Sequence, residues 1–217
     1  MKFAMSYSCG KDSTLALHRM VELGHEPIAL MIMVNQSVDR SYFHGADRSM
    51  MQDYSDALNI PLMAVPTSGA DYQEAMENAL RKAAGMGAEG ACFGDIDIEQ
   101  NRAWSEARCI RTHMQAFFPL WKKNRAENVQ DLIGLGYKCL IKSINNRLLP
   151  KSLLGRVLDR PTVAEMEQYG IDVCGENGEY HTLTVDGPLF NAPIQYRTGE
   201  IIDLDEYSIM DITFPKA

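Results

Sequence analysis

The stretch Ile28 to Val34, Ile-Ala-Leu-Met-Ile-Met-Val, is an unbroken apolar run. A strand with one wet face alternates apolar and polar residues. A run without polar breaks fits a strand covered on both faces, as in a parallel sheet flanked by helices. Further stretches that read as buried strands occur at Phe3 to Tyr7, Leu62 to Val65, Gly90 to Phe93 and Cys139 to Ile144. Helical patterns separate them. Leu15, Leu17, His18, Met20 and Val21 precede a C-capping Gly24, and a second helix covers about Asp47 to Leu58. Tyr72, Ala75, Met76, Ala79, Leu80 and Ala83 fall at i, i+3, i+4, i+7, i+8 and i+11, with Gly85 and Gly87 ending the helix. This alternation predicts an α/β fold built on a doubly wound parallel sheet. Beyond Pro150 the chain becomes Gly- and Pro-punctuated. It has a helical stretch at Thr162 to Tyr169 and strand-like pieces at Tyr180 to Val185 and Ile209 to Phe214. Residues 1–149 are therefore expected to form the main domain, and residues 150–217 a smaller α+β domain that binds substrate.

Ligands of such sheets bind beyond the carboxyl ends of the strands. That rule selects three loops: Ser8 to Ser13, Asn35 to Asp47, and Gly94 to Arg102. In the first, a Gly-containing turn feeds a helix N-terminus, which offers backbone N–H groups and the positive end of the helix dipole to an anion. Lys11 adds a charge and Ser8 and Ser13 add hydroxyls; Asp12 could hold Mg²⁺ or cap the helix. The alternative is a plain polar turn with Asp12 or Ser13 as N-cap. No G-x-x-x-x-G-K-[ST] or G-x-G-x-x-G occurs, so Walker-type and dinucleotide readings fail.

Composition narrows the classes further. With 21 basic against 29 acidic residues the net charge is -8, which argues against general attraction to nucleic acid or anionic membrane. No apolar run approaches the roughly 20 residues of a bilayer span, and the N-terminus does not read as a signal peptide. The five dispersed cysteines (9, 92, 109, 139 and 174) follow neither a disulfide framework nor zinc spacing, as expected of a reduced, cytoplasmic protein.

The segment Ser8-Cys9-Gly10-Lys11-Asp12-Ser13 resembles the S-G-G-K-D-S loop of the PP-loop ATP pyrophosphatases, adenine nucleotide alpha hydrolase folds that cleave ATP between the α and β phosphates. The rest of the chain resembles one branch of them, the diphthine–ammonia ligase (diphthamide synthase) family. The matching stretches are Gly24-His25-Glu26-Pro27, Phe43-His44, Gly94-Asp95-Ile96 with Arg102 and Trp104, Pro119-Leu120-Trp121 and Leu154 to Asp159. Gly175 to Thr182 and Asp186 to Phe190 complete them, in order over most of the chain.

The resemblance implies a carboxylate activated by ATP as an acyl-adenylate and then amidated by ammonium, with release of AMP and pyrophosphate. Its acceptor would be diphthine on elongation factor 2, or a related carboxylate in a bacterial source. ATP and Mg²⁺ are the implied cofactors, and a homodimer is among the open oligomeric states. Ser8, Cys9, Gly10, Lys11, Asp12, Ser13, Met33, His44 and Gly94 are the expected nucleotide-site residues. Lys11, Asp95, Glu179 and His181 are the expected catalytic groups, and Asp12 the Mg²⁺ ligand. Arg102, Trp104, Glu176 and Tyr180 are assigned to substrate, with Tyr180 or Trp104 facing the trimethylammonium group of diphthine.

Several of these positions have competing readings. Cys9 replaces the motif's second-position glycine, so φ there is either negative or the nucleotide site is altered; a catalytic thiol activated by the helix is the sharper alternative. Asp97 could simply cap a helix. His44 could be a satisfied loop histidine, and Arg102, Arg108 and Arg111 a solvated helix face. Glu176-Asn177-Gly178-Glu179 could be a structural turn in which Asn177 stands where the family often has glycine. Trp121 and the methionines read as core. Two other functions compete: a PP-loop RNA-modifying enzyme, disfavoured by charge and by the missing paired cysteines, and a non-enzymatic adenine-nucleotide-binding module.

Overall fold

The apolar runs become strands, and the computed structural model describes residues 1–42 and 44–215. The chain divides into two compact units, Met1–Lys123 and Asn124–Ala217. The first contains β1 (Lys2–Ser6), α1 (Lys11–Glu22), β2 (Glu26–Asn35), β3 (Arg40–Ser41) and α2 (Arg48–Leu58). It continues through β4 (Leu62–Thr67), α3 (Tyr72–Gly85), β5 (Gly90–Cys92), α4 (Glu99–Arg111) and β6 (Gln115–Phe117). Five strands pair in parallel in the order β4-β2-β1-β5-β6, and the short β3 pairs antiparallel with the end of β2. The expected doubly wound sheet is present.

Side-chain alternation divides this sheet into two buried faces. Ala29, Met31, Met33, Met63, Val65 and Ala91 form one cluster with Met76, Leu80 and Ala83 of α3 and Cys109 of α4. The alternate positions, Phe3, Met5, Leu30, Ile32 and Val34, are equally buried, on the face that α1 and α2 cover. This is why β2 has no polar break. Helix ends follow local chemistry: Asp47 caps α2 by accepting from the Met50 N–H at 2.9 Å. Gly24, at φ +80°, lies one residue beyond the α1 C-cap Leu23.

The chain builds outward from β1 to β4 on one side, then α3 carries it back so that β5 joins the other side of β1. The order reverses at β1, and the loops leaving β1 and β5 flank that switch point, where open α/β sheets bind ligands.

The second unit holds α5 (Arg125–Gly134), β7 (Lys138–Asn145), a 3-10 turn (Lys151–Leu153), α6 (Arg160–Glu167), β8 (Tyr180–Asp186), β9 (Arg197–Asp203) and β10 (Tyr207–Thr213). Its strands form an antiparallel sheet in the order β8-β7-β10-β9. The division after Lys123 differs from the expected break at 149/150. β7 is apolar enough to resemble a parallel-sheet strand, yet it lies at the centre of the antiparallel sheet, between β8 and β10. The α+β character expected of the C-terminal part is present. Among the described residues no helix is long and apolar enough to cross a membrane.

Candidate nucleotide site

The turn after β1 is held by its own hydroxyls. Ser13 Oγ donates to the Gly10 carbonyl at 3.0 Å, lies 3.0 Å from Ser8 Oγ and accepts from the Ser8 N–H at 3.2 Å. Thr14 Oγ1 donates to the same carbonyl at 2.9 Å and lies 3.0 Å from the Tyr7 hydroxyl. Neither Asp12 nor Ser13 is the N-cap of α1. That position is Gly10, with extended backbone and no side-chain cap of its own. Lys11 is buried (6% exposed) and its Nζ lies 2.6 Å from Asp12 Oδ2. The loop thus presents a fixed cation within a cradle of amides.

Cys9 lies in the left-handed region, at φ +71°, where a Cβ is disfavoured. It is fully buried, and burial pushes its thiol far above the usual range. The catalytic-thiol reading is therefore corrected: desolvation outweighs the helix dipole, and the thiolate is disfavoured. Two glycines keep the cradle tight. A Cβ on Gly10 would collide with His44 Cε1, so that ring lies against the loop. A Cβ on Gly94, just past β5, would stand 3.0 Å from the Asp12 carbonyl carbon and from the Ser13 nitrogen. Phe43, matched beside His44 in sequence, lies outside the described residues.

Asp95 follows Gly94, and its carboxyl is pushed up to about 6, chiefly by burial and further by the nearby Asp12 charge. Two neighbouring carboxyl groups are a chemically apt donor pair for a hard divalent cation. Asp97 does not cap α4, whose N-cap is Ile98.

Beside the loop, at the ends of β1 and β2, a cleft with about 320 Å³ of empty space is lined by Tyr7, Ser8, Met31, Met33, Tyr42 and Tyr72, among others. The Tyr42 and Tyr72 rings meet edge to face at 5.2 Å. Met33, expected at the site, is in this wall, and its carbonyl accepts from the Tyr42 N–H at 3.1 Å.

The residues assigned to substrate on α4 already have partners. Arg102 is 2.7 Å from Glu106, with its guanidinium 4.7 Å from the Trp121 ring centre and 5.2 Å from that of Phe118. Trp104 packs 5.8 Å from Tyr72, and the Arg108 guanidinium lies 5.2 Å from its ring centre. A cation is therefore supplied to Trp104 from within the chain. Arg108 is not part of a solvated face; it is buried and lies 3.1 Å from the equally buried Glu77.

In the second unit, Tyr180 is 2% exposed and its hydroxyl donates to the Val173 carbonyl at 2.6 Å. Its ring belongs to the interior, which corrects its assignment to a substrate cation. Glu179 is buried, and both its oxygens accept from Asn177, from the backbone N–H at 2.9 Å and from Nδ2 at 3.0 Å. Arg125 reaches Asp172 at 2.6 Å and the Asn177 side-chain oxygen at 3.3 Å. The turn Glu176 to Glu179 is thus internally braced, while Glu176 and His181 remain half-exposed.

Tyr7, Tyr42 and Tyr72 line the cleft but are not among the residues that the sequence selects. Tyr72 fits the apolar stripe of α3 so well that periodicity assigns it to core. Tyr42 lies in a loop already selected, and the end of β2 was the available signal.

Comparison with known proteins agrees with this division of the chain. The diphthamide synthase N-terminal domain matches residues 1–116 and the diphthamide synthase C-terminal domain residues 124–214. The chain is 28% identical to the diphthine–ammonia ligase of Bos taurus and 26% identical to that of Homo sapiens, in each case over 93% of this chain and 85% of the relative. Against the Schizosaccharomyces pombe diphthine–ammonia ligase the identity is 25%, over 94% of this chain and 37% of that longer protein. A solved chain described as a predicted subunit of tRNA methyltransferase, from Methanocaldococcus jannaschii, gives a TM-score of 0.48 at 14% identity, covering 89% of this chain and all of that one. That likeness is too slight to bear on fold or function. The two domain matches run in order and flank the point where the structure divides, after Lys123, and the chain belongs to the diphthamide synthase family.

Proposed function

We propose that this protein is an ATP-dependent, AMP-forming ligase that amidates a carboxylate with ammonia, with diphthine on elongation factor 2 as the acceptor. The observation carrying this reading is the switch-point cradle: buried Lys11 and the first turn of α1, closed against Gly94 and set beside the tyrosine-walled cleft. The base of ATP occupies the cleft and its phosphates lie on the loop. An acceptor carboxylate oxygen attacks the α-phosphorus, the bond to the bridging oxygen breaks, and pyrophosphate leaves. Ammonia then adds to the activated carbonyl carbon, AMP departs with the bonding electron pair, and a proton passes to solvent. Lys11 and the loop amides stabilise charge on the departing pyrophosphate, the electrostatic term that dominates such transfers. Asp12 and Asp95 would hold Mg²⁺, which supplies charge neutralisation to the phosphates. Glu176 and His181 are assigned to the acceptor side, and Glu179 to holding their turn in shape.

The test is nucleotide product analysis with ATP, Mg²⁺ and ammonium, with and without diphthine-bearing elongation factor 2, using an established ligase as control. AMP and pyrophosphate formed only with that acceptor are the expected result. Lys11→Ala should lower the rate about 100- to 1,000-fold, or about 3–4 kcal/mol. Failure with the control active refutes the acceptor, and near-normal AMP formation by Lys11→Ala removes the loop from the mechanism.

A further inference from the structure

The buried charge of the first unit outside the loop is concentrated at one place. Glu77 on α3 is 7% exposed, and its carboxylate lies 3.1 Å from Arg108 Nε, 3.3 Å from Arg81 Nη2 and 3.9 Å from Arg111 Nε. An apolar contact would join two helices at less desolvation cost than a buried ion pair, so the position of this pair needs a reason. Its contacts run in one direction. Arg108 lies against Trp104, one turn away on α4. Trp104 packs on Tyr72, Tyr72 meets Tyr42 edge to face, and both tyrosines line the cleft. Tyr42, Tyr72 and Trp104 all pack against the same apolar cluster. A guanidinium fixed by a buried carboxylate can hold an indole in one orientation, and aromatic rings in contact transmit that orientation because interiors are close-packed.

We propose that Glu77, Arg108 and Trp104 are positioning residues that set the Tyr42–Tyr72 wall on which the nucleotide base is selected. This rests on reading the cleft as the base site, and it adds to that reading the residues responsible for base preference.

The test uses the full-length protein and equilibrium binding of ATP, GTP and inorganic tripolyphosphate, which engages the loop without a base. For Arg108→Met we expect ATP affinity to fall about tenfold, the preference for ATP over GTP to fall at least fivefold, and tripolyphosphate affinity to stay within twofold. Arg108→Lys should be intermediate, since it keeps the charge but loses the planar stack. The double variant Glu77→Gln/Arg108→Met should be no worse in base preference than Arg108→Met alone, as for groups acting as one unit. Trp104→Phe against Trp104→Leu carries the test where Arg108→Met does not fold: the phenyl variant should keep most of the preference and the leucine variant lose it. Equal loss of ATP and tripolyphosphate affinity marks a merely structural role and overturns the proposal, as does unchanged base preference in the folded variants. Tripolyphosphate binding by the wild type without any ATP preference overturns the base-site reading together with this one. Retained ATP preference in the variants overturns this one alone.

Discussion

Gly94→Ala probes the switch-point cradle most directly. The backbone of Gly94 is not left-handed, so alanine fits its conformation and would by itself stabilise the fold by about 0.4–1 kcal/mol through the unfolded chain. The added Cβ, however, would lie 3.0 Å from both the Asp12 carbonyl carbon and the Ser13 nitrogen, and 3.2 Å from the Asp12 oxygen. All three are backbone atoms of the first turn of α1, so no rotamer change relieves the contact. To reach ordinary contact the loop must retreat by about 0.4 Å or more, at an overpacking cost of about 1–3 kcal/mol. The net loss is about 0.5–2 kcal/mol. With a urea slope of about 2 kcal/mol/M the midpoint falls by about 0.3–1 M. On the proposed reading of the loop, the same retreat would move the amides that meet the phosphates, and misplacement on this scale costs about tenfold in turnover. Gly85→Ala is the control: it lies at the end of α3 with nothing within 4 Å of the added Cβ, and should stabilise by about 0.5–1 kcal/mol. Urea unfolding and AMP release measured on both variants decide the matter. A Gly94→Ala protein as stable and as active as the wild type would refute the tight-cradle argument.

Three more outcomes are expected. Cys9→Gly trades about 1–2 kcal/mol of left-handed strain against a similar loss of buried thiol, so its melting point should stay within about 4 °C. Cys9→Val, β-branched at positive φ, should lose more than twice that. Asp95 has a raised folded pKa, about 6 against 3.8, so between those values the native state holds a proton that the unfolded chain has lost. Its contribution therefore falls as pH rises from about 4 to 6, by at most about 3 kcal/mol. Asp95→Asn should remove that part of the slope in urea midpoints measured with chelator present, and identical slopes would sink the argument. Asn177→Gly leaves the buried Glu179 with one donor fewer and Arg125 without its Asn177 contact. A loss of about 1–3 kcal/mol in urea unfolding is expected, and none would show that water replaces the amide.

The parallel sheet and most of its helices were legible because burial on both faces leaves an unambiguous apolar signature, as in Ile28 to Val34. The short β3 and β6 and the exposed β9 carry no such signature. β3 and β6 are too short for periodicity, and β9 is exposed along its length. β7 was read as a strand but placed in the wrong sheet, because a central antiparallel strand buried on both faces has the same composition as a parallel one. The segment Ser8 to Ser13 was legible as a strand-to-helix turn, although residue chemistry alone left a plain polar turn open beside an anion-binding loop. The left-handed Cys9 was not, since only coordinates decide between the two φ readings. The Glu77–Arg108 pair was hidden for a different reason: burial of a charge depends on which helix packs opposite it, and α3 and α4 meet only through the tertiary fold.

The reversal of strand order at β1 also shapes how the protein is made. The loop after β1 leaves a ribosome before β5 does, so β1 lacks one of its two neighbours until Gly90 to Cys92 are available to pair with Phe3 to Met5. Only then does Gly94 close on the first turn of α1. A nascent chain ending in α3 would hold every residue of the loop motif without the surface that shapes it. On the proposed reading of the loop, acquisition of nucleotide affinity would therefore mark the pairing of β5 with β1, and ATP would stabilise chains that have passed that point but not their precursors.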